Sequence, residues 1–250
     1  MDALVLAAGY ATRLYPLTKD RPKPLLAIGE KTILGYLVGQ FLRIEELHNI
    51  YVVTNDRFYR HFARWAEEQQ QKPGAESRQI KIVNDGTSSN ETRLGAIADI
   101  RFVIETEHLQ DDLLVTGGDN IFRFDLRDLV AAFDRERCDV VVAHHIDDME
   151  KLRRSGVIKI DSAGNAIGFT EKPAEPESSL ICPALYIYRK ETLPDFKTYL
   201  EEKNNPDAPG HFIPWLMSRK RVFAYQMRES YYDIGDLASY RAVCKEFERR

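Results

Sequence analysis

At 250 residues, with 44% hydrophobic and 30% charged side chains, the chain is long enough to bury the core of one large α/β domain. Its 35 Lys and Arg against 39 Asp and Glu leave a formal net charge of −4, which offers no electrostatic footprint to nucleic acid or to an anionic membrane. Cys138, Cys182 and Cys244 are widely separated and lack CxxC spacing, which argues against a disulfide framework and a zinc site and fits a reducing cytoplasm. An apolar run begins at residue 3, leaving no room for a secretory signal, and no run approaches the ~20 residues needed to span a bilayer.

Residues 3–7 read as a short buried strand, and Ala8-Gly9-Tyr10-Ala11-Thr12 follows with small residues that let backbone N–H groups approach a ligand. Such a loop can cradle phosphates. Arg13 and Lys23 then place two cations along a segment in which Pro16, Pro22 and Pro24 each fix one φ angle. Further strands are predicted at 50–54, 80–83, 113–116 and 140–143. Helix-length segments alternate with them: 33–44, a segment carrying Phe58, Phe62 and Trp65, 95–104 and 126–133. Ile33, Leu34, Leu37, Phe41 and Ile44 share one helical face, and the three aromatics read as core. This alternation predicts a parallel sheet with crossover helices over residues 1–145.

Two connections in this half carry polar groups. Residues 84–95 form a polar loop in which Asn90 or Thr92 is expected to cap the following helix. Gly117-Gly118-Asp119-Asn120 follows a strand, so Asp119 is expected at the carboxyl end of the sheet, where open α/β folds bind ligands. An acid there suits a metal, while a Gly turn with an Asx cap accounts for the tetrapeptide by itself. His144 and His145 are neighbours on a strand and point to opposite faces, which opposes joint chelation and makes a structural role the expectation.

Beyond 145 the segments become shorter and richer in β pattern. A hairpin is predicted from 156–160 and 166–170 around a turn at 161–165, then a Pro- and Glu-rich loop at 172–179 and a strand at 181–188. Helices are predicted at 191–203, 213–217 and 237–248, a strand at 222–226, and Asp236 as the cap of the last helix. Glu171-Lys172-Pro173 leaves the hairpin with an acceptor for hydroxyls beside a point charge for phosphate.

Four segments together resemble one family. Gly9-Tyr10-Ala11-Thr12-Arg13-Leu14-Tyr15-Pro16-Leu17-Thr18 with Arg21-Pro22-Lys23-Pro24-Leu25-Leu26 resembles the G-x-G-T-R-L-x-P-x-T…P-K-x-L signature of the sugar-1-phosphate nucleotidylyltransferases, the glucose-1-phosphate thymidylyltransferase-like enzymes. Residues 117–120 resemble the family's G-D-N segment, 168–173 its G-F-x-E-K-P segment, and 231–236 its W-x-D-I-G segment with Tyr at the aromatic position. Ala11 departs from the signature, standing where the family has a second loop glycine. Alanine is the smallest replacement, and it is constrained if φ there is positive.

The resemblance implies a three-layer α/β/α, Rossmann-like fold with a mixed, mainly parallel sheet and a smaller β-rich sugar-binding lobe at 146–250, within one nucleotidyltransferase domain. It implies Mg²⁺-dependent transfer of a nucleoside monophosphate from a nucleoside triphosphate to a sugar 1-phosphate, giving an NDP-sugar and pyrophosphate. The triphosphate would lie against Ala7, Ala8, Gly9, Tyr10, Ala11, Thr12 and Arg13, with Asn84 and Gly95 beside the base. Mg²⁺ would sit on Asp119 and Asp233, with Arg13, Lys23 and Asp119 catalytic. The sugar phosphate would meet Gly156, Glu171 and Lys172, with Pro183 and Ala184 as further wall positions. Two alternatives stay open: a cytidylyltransferase acting on a non-sugar phosphate such as phosphocholine, or a non-catalytic ligand-sensing subunit. No hexapeptide period is present, so the β-helical acyltransferase extension of some relatives is not expected. Base, sugar and oligomeric state are not readable at this level.

Overall fold

The structure, a computed structural model, describes residues 1–71 and 78–248. The chain runs through β1 (Asp2–Leu6), β2 (Ala27–Ile28), β3 (Lys31–Thr32), α1 (Ile33–Phe41), β4 (Asn49–Thr54), α2 (Tyr59–Gln70) and β5 (Gln79–Asn84). It continues through α3 (Ala96–Thr106), β6 (Leu113–Gly117), β7 (Asn120–Phe122), α4 (Leu126–Glu136), β8 (Asp139–His145), α5 (Met149–Arg154), β9 (Gly156–Ile160) and β10 (Ala166–Glu171). The remaining elements are β11 (Leu180–Ile181), β12 (Leu185–Tyr188), α6 (Leu193–Glu201), α7 (Phe212–Met217), β13 (Val222–Met227), β14 (Tyr231–Asp233) and α8 (Leu237–Phe247). Two compact units divide it: Met1–Leu94, Thr116–Leu126 and Ser230–Arg250 form the first, Gly95–Val115 and Arg127–Glu229 the second.

In the first unit, β1, β4 and β5 pair in parallel, with Ala3 opposite Ile50 and Ile50 opposite Ile80. β1 and β4 are buried on both faces and read as continuous apolar runs, whereas β5, at the end of the sheet, alternates exposed Gln79 and Lys81 with buried Ile80. Helix α1 buries Ile33, Leu34, Leu37, Val38 and Phe41, and the Thr32 hydroxyl caps it by accepting from Gly35 N at 3.0 Å. It stops at Phe41, short of the predicted 44. The chain turns there through tighter bonds, Arg43 N–H donating to Gln40 and Ile44 N–H to Phe41, each at 3.0 Å, and the Arg78 guanidinium donates to the carbonyls of Leu42, Leu47 and Ile44, which lie beyond the helix. Phe58, Phe62 and Trp65 are buried as expected.

Leu14, Leu26, Ile28, Ile33, Ile121, Ile234 and Val243 form a separate buried cluster in this unit. Around it lie two pairings that the sequence reading missed, the β2–β3 hairpin and antiparallel β7–β14. Their strands are two or three residues long, too short for a period-2 pattern to register. Asp236 does cap α8, accepting from Ser239 N at 2.8 Å in a capping box.

In the second unit the predicted hairpin is β9–β10, its turn held by Asp161, which accepts from Ala163 N and Asn165 N. β11 and β12 lie antiparallel to β8, and β13 runs parallel to it. The predicted strand at 181–188 is two strands. Cys182 N–H donates to Gly156 at 2.8 Å, Pro183 has no N–H, and Leu185 N–H turns back on Pro183 at 2.7 Å, so the ladder breaks between them. The cap of α3 also differs from expectation. Neither Asn90 nor Thr92 serves; the helix follows Gly95 at φ 95°, and the carbonyls of Pro206 and Asp207 take the N–H groups of Ile97 and Ala96 at 2.9 and 3.3 Å. Helix α5, capped by Asp148, was not predicted. His144 is half-buried and His145 exposed, as residues on opposite faces of β8 should be. Among the described residues, no helix is long and apolar enough to cross a membrane.

Asp139 opens β8 fully inside this unit. Its carboxylate accepts from Arg189 N at 2.8 Å and the Thr192 hydroxyl at 2.9 Å, yet burial outweighs both and pushes its pKa up to about 6. The folded protein therefore holds this proton more tightly than the unfolded chain, and the stability it supplies below pH 4 is lost as pH rises through 6. Relative to Asp139→Asn, wild type should lose up to about 3 kcal/mol of unfolding free energy across that window, measured by denaturant titration at stepped pH. Parallel pH profiles for the two proteins would contradict this.

Candidate functional site

The loop after β1 is fastened from below. Ala7 N–H donates to Val53 at 2.9 Å, and the buried Asn55 amide donates to the Ala8 carbonyl at 2.8 Å while its oxygen accepts from Phe58 N at 3.1 Å. Asn55 was not singled out from sequence; a lone buried Asn at a strand end has no motif to announce it. Tyr10 packs its ring against Phe58 and donates its hydroxyl to the Thr87 carbonyl at 3.3 Å. Gly9 is exposed, and a Cβ there would meet nothing within 4 Å. No described protein neighbour requires that glycine.

Ala11 has φ 47° and ψ 42°, the left-handed conformation in which glycine is the easier residue. Two bonds hold it there: its carbonyl accepts from the Thr18 hydroxyl at 2.8 Å and Leu14 N at 3.0 Å. The following turn, Thr12–Leu14, buries Leu14 and leaves Thr12 and Arg13 exposed.

Lys23, its side chain only 13% exposed, donates to Asp119 Oδ2 at 2.6 Å. Asp119 Oδ1 accepts from the Asn120 amide at 3.1 Å, and its backbone carbonyl accepts from Ile234 N at 3.1 Å. Pairing of β7 with β14 sets Asp233 opposite Asn120, so the two aspartates from distant motifs become neighbours. Gly118 lets this happen: its N–H donates to Leu6 at 2.9 Å, and a Cβ would stand 3.0 Å from Pro24 and 3.1 Å from the Leu6 carbonyl. Although the Asp233 side chain reaches solvent, the surrounding protein desolvates its carboxyl and the Asp119 charge repels a second anion, pushing it up to about 6; Lys23 and Arg13 oppose the shift. The first unit thus brings together Arg13, Lys23, Asp119 and Asp233.

Asn84, expected beside a base, uses its amide locally, donating to Asp56 at 2.8 Å and accepting from Gly86 N at 2.9 Å. Gly95 belongs to the second unit, and its glycine has a local cause, since a Cβ would stand 2.7 Å from the Pro206 carbonyl.

In the second unit, Glu171 ends β10 opposite Gly156 at the start of β9. A Cβ on Gly156 would come 2.5 Å from the Phe169 ring and 3.1 Å from Glu171 Oε2. Lys172 follows at φ 48°, its N–H donating to Ser155 at 3.1 Å and its ammonium 3.7 Å from Glu171 Oε1. Among the described residues no hydrogen bond reaches the Glu171 carboxylate, although its side chain is only 15% exposed. Cys182, before the wall positions Pro183 and Ala184, is buried, and burial with the Glu171 charge pushes its thiol well above the usual range.

With this geometry in view, comparison with known proteins shows that the chain matches the nucleotidyl transferase family over residues 2–250 and belongs to it. A glucose-1-phosphate adenylyltransferase of Geobacter metallireducens is 29% identical over 244 residues, spanning 91% of this chain and 58% of that protein. The UTP-glucose-1-phosphate uridylyltransferase AglF of Haloferax volcanii is 28% identical over 190 residues, 75% of this chain and 72% of that one. The chain spans only 57–58% of the first adenylyltransferases it matches. A solved UDP-glucose pyrophosphorylase in complex with UDP-glucose has a TM-score of 0.82 at 20% identity, over 99% of this chain and 98% of that one. The shared fold is α/β with a mixed, mainly parallel sheet.

Ala11 yields a direct test. Restoring glycine relieves a left-handed alanine worth about 1–2 kcal/mol but returns backbone entropy to the unfolded chain, so Ala11→Gly should raise unfolding free energy by no more than about 1 kcal/mol. Denaturant unfolding measures this, and a clear loss of stability would show that the methyl group packs usefully.

Proposed function

We propose that the protein transfers a nucleoside monophosphate from a nucleoside triphosphate to a sugar 1-phosphate, releasing pyrophosphate, with Mg²⁺ as the required ion. The observation that carries this reading is the Lys23–Asp119 pair at 2.6 Å with Asp233 set beside it by strand pairing. Two carboxylates whose charges repel one another, one already drawing an ammonium, are a donor set that suits a hard divalent cation. Among the described residues no group of three or more His, Cys, Asp or Glu is placed to hold a metal ion. Mg²⁺ takes one or two carboxylates and completes its shell with phosphate and water. When bound there, Mg²⁺ would neutralise charge at the α-phosphate.

The remaining work falls to the chain. The exposed Gly9 backbone and Arg13 would hold the triphosphate, with Asn84 on the base side, and Lys23 would offset charge gathering at the α-phosphorus. An ionised phosphate oxygen of the acceptor forms the new P–O bond as the α–β bond breaks, so no general base is needed. Catalysis becomes orientation and charge neutralisation. Glu171, whose carboxylate takes no hydrogen bond among the described residues, would accept from sugar hydroxyls, and Lys172 would pair with the acceptor phosphate. The relatives' names make glucose 1-phosphate the first acceptor to assay. Phe169 beside Glu171 favours a second acceptor, phosphocholine, whose quaternary ammonium would use both the ring and the carboxylate.

The test crosses each nucleoside triphosphate with several sugar 1-phosphates and with phosphocholine, reading pyrophosphate release with Mg²⁺ and with chelator. Turnover is expected with a sugar 1-phosphate and should vanish on chelation. Asp119→Asn should lower kcat by about 100-fold or more with the melting temperature retained. Undiminished turnover in that variant, or release confined to phosphocholine, would overturn the assignment.

A further inference from the structure

The acceptor side of this reading rests on Glu171, and the protein surrounds that carboxylate with bare backbone. Gly156 lies opposite it in the β9–β10 register, and Gly210 approaches it from the turn Pro209–His211. A methyl group on Gly210 would overlap Glu171 Oε2 and stand 2.9 Å from the Phe169 ring. Gly210 is buried but does not have a positive φ, so its own backbone would accept any residue. What keeps a side chain out is the space held by Glu171 and Phe169.

The segment carrying Gly210 is fastened and has little room to retreat. The carbonyls of Pro206 and Asp207 take the first N–H groups of α3, the Tyr199 hydroxyl donates to Asn205 O at 2.8 Å, and Asp207 N donates to Asn205 Oδ1 at 2.9 Å. Gly95 closes against the same segment, its missing Cβ making room for the Pro206 carbonyl. With the backbone tied to α3 and α6, an added methyl must displace the ends of the Glu171 and Phe169 side chains.

We propose that Gly210 is a positioning residue of the acceptor site, holding the Glu171 carboxylate where it accepts hydrogen bonds from acceptor hydroxyls. The proposal rests on the sugar 1-phosphate reading above. It assigns the 206–210 segment a role that no sequence motif signals: bare backbone, held rigidly, sets the position of a carboxylate whose acceptor capacity no described donor fills.

The experiment measures KM and kcat of wild type, Gly210→Ala, Glu171→Gln and their combination on glucose 1-phosphate and its monodeoxy analogues. Wild type should lose about tenfold in kcat/KM when the hydroxyl that Glu171 accepts is removed. Gly210→Ala should raise KM for glucose 1-phosphate about tenfold, leave KM for the nucleoside triphosphate within about twofold, and bring the parent-to-deoxy ratio close to one. Glu171→Gln should erase the same preference, with Gly210→Ala adding nothing on top. A Gly210→Ala enzyme that keeps the hydroxyl preference would overturn the proposal while leaving the reaction standing.

Stability supplies an independent arm. Gly210→Ala should lower the melting temperature, and Gly210→Ala in a Glu171→Ala background should cost much less, because the overlapping carboxylate is gone. Equal losses in both backgrounds would place the clash elsewhere and overturn the proposal, even if Gly210→Ala alone fails to fold. If wild type turns over no sugar 1-phosphate, the functional reading fails, and the melting comparison still decides the Gly210–Glu171 contact.

Discussion

Antiparallel pairing of Asn120–Phe122 with Tyr231–Asp233 is the constraint on which the charged site of the first unit depends. Three residue pairs would not hold two distant segments together in water by themselves. Burial does it: Ile121 and Ile234 enter the cluster that also takes Leu14 and Leu26 from the signature segment. One apolar cluster therefore fixes the positions of Arg13, Lys23, Asp119 and Asp233 relative to one another.

That arrangement stores cost. Desolvation by the surrounding protein and then the Asp119 charge raise the proton affinity of Asp233, and Lys23 and Arg13 offset only part of it. Ala11 adds a left-handed backbone that its own side chain disfavours. Both are sustained by neighbours that over-determine the geometry, Thr18 and Leu14 for the loop and the β7–β14 ladder for the carboxylates. Stability is exchanged for a concentrated charge pattern, the one on which the proposed binding of a cation and phosphates rests.

The second unit handles charge differently. Asp139 is buried with hydrogen-bond donors on both oxygens and serves the fold, whereas Glu171 sits at the end of a strand without a hydrogen-bond donor among the described residues. The contrast separates a structural carboxylate from the one to which the proposed function gives the acceptor's hydroxyls. Gly156 and Gly210 leave open the space beside the second kind, where a Cβ on either would come within 3.1 Å of the carboxylate.

The sequence by itself determined the strands buried on both faces, the helices with an apolar stripe, the Asp236 cap and the four motif segments with their charged residues. These are readable because each depends on neighbours within a few positions. Tertiary structure alone decided the β7–β14 and β2–β3 pairings, the break at Pro183, the early end of α1 under Arg78, the backbone cap of α3, the conformation of Ala11, and the parts played by Asn55 and Gly210. Each turns on a partner far away in the chain, where pairing and steric exclusion depend on which backbone arrives opposite, and local pattern carries no record of that.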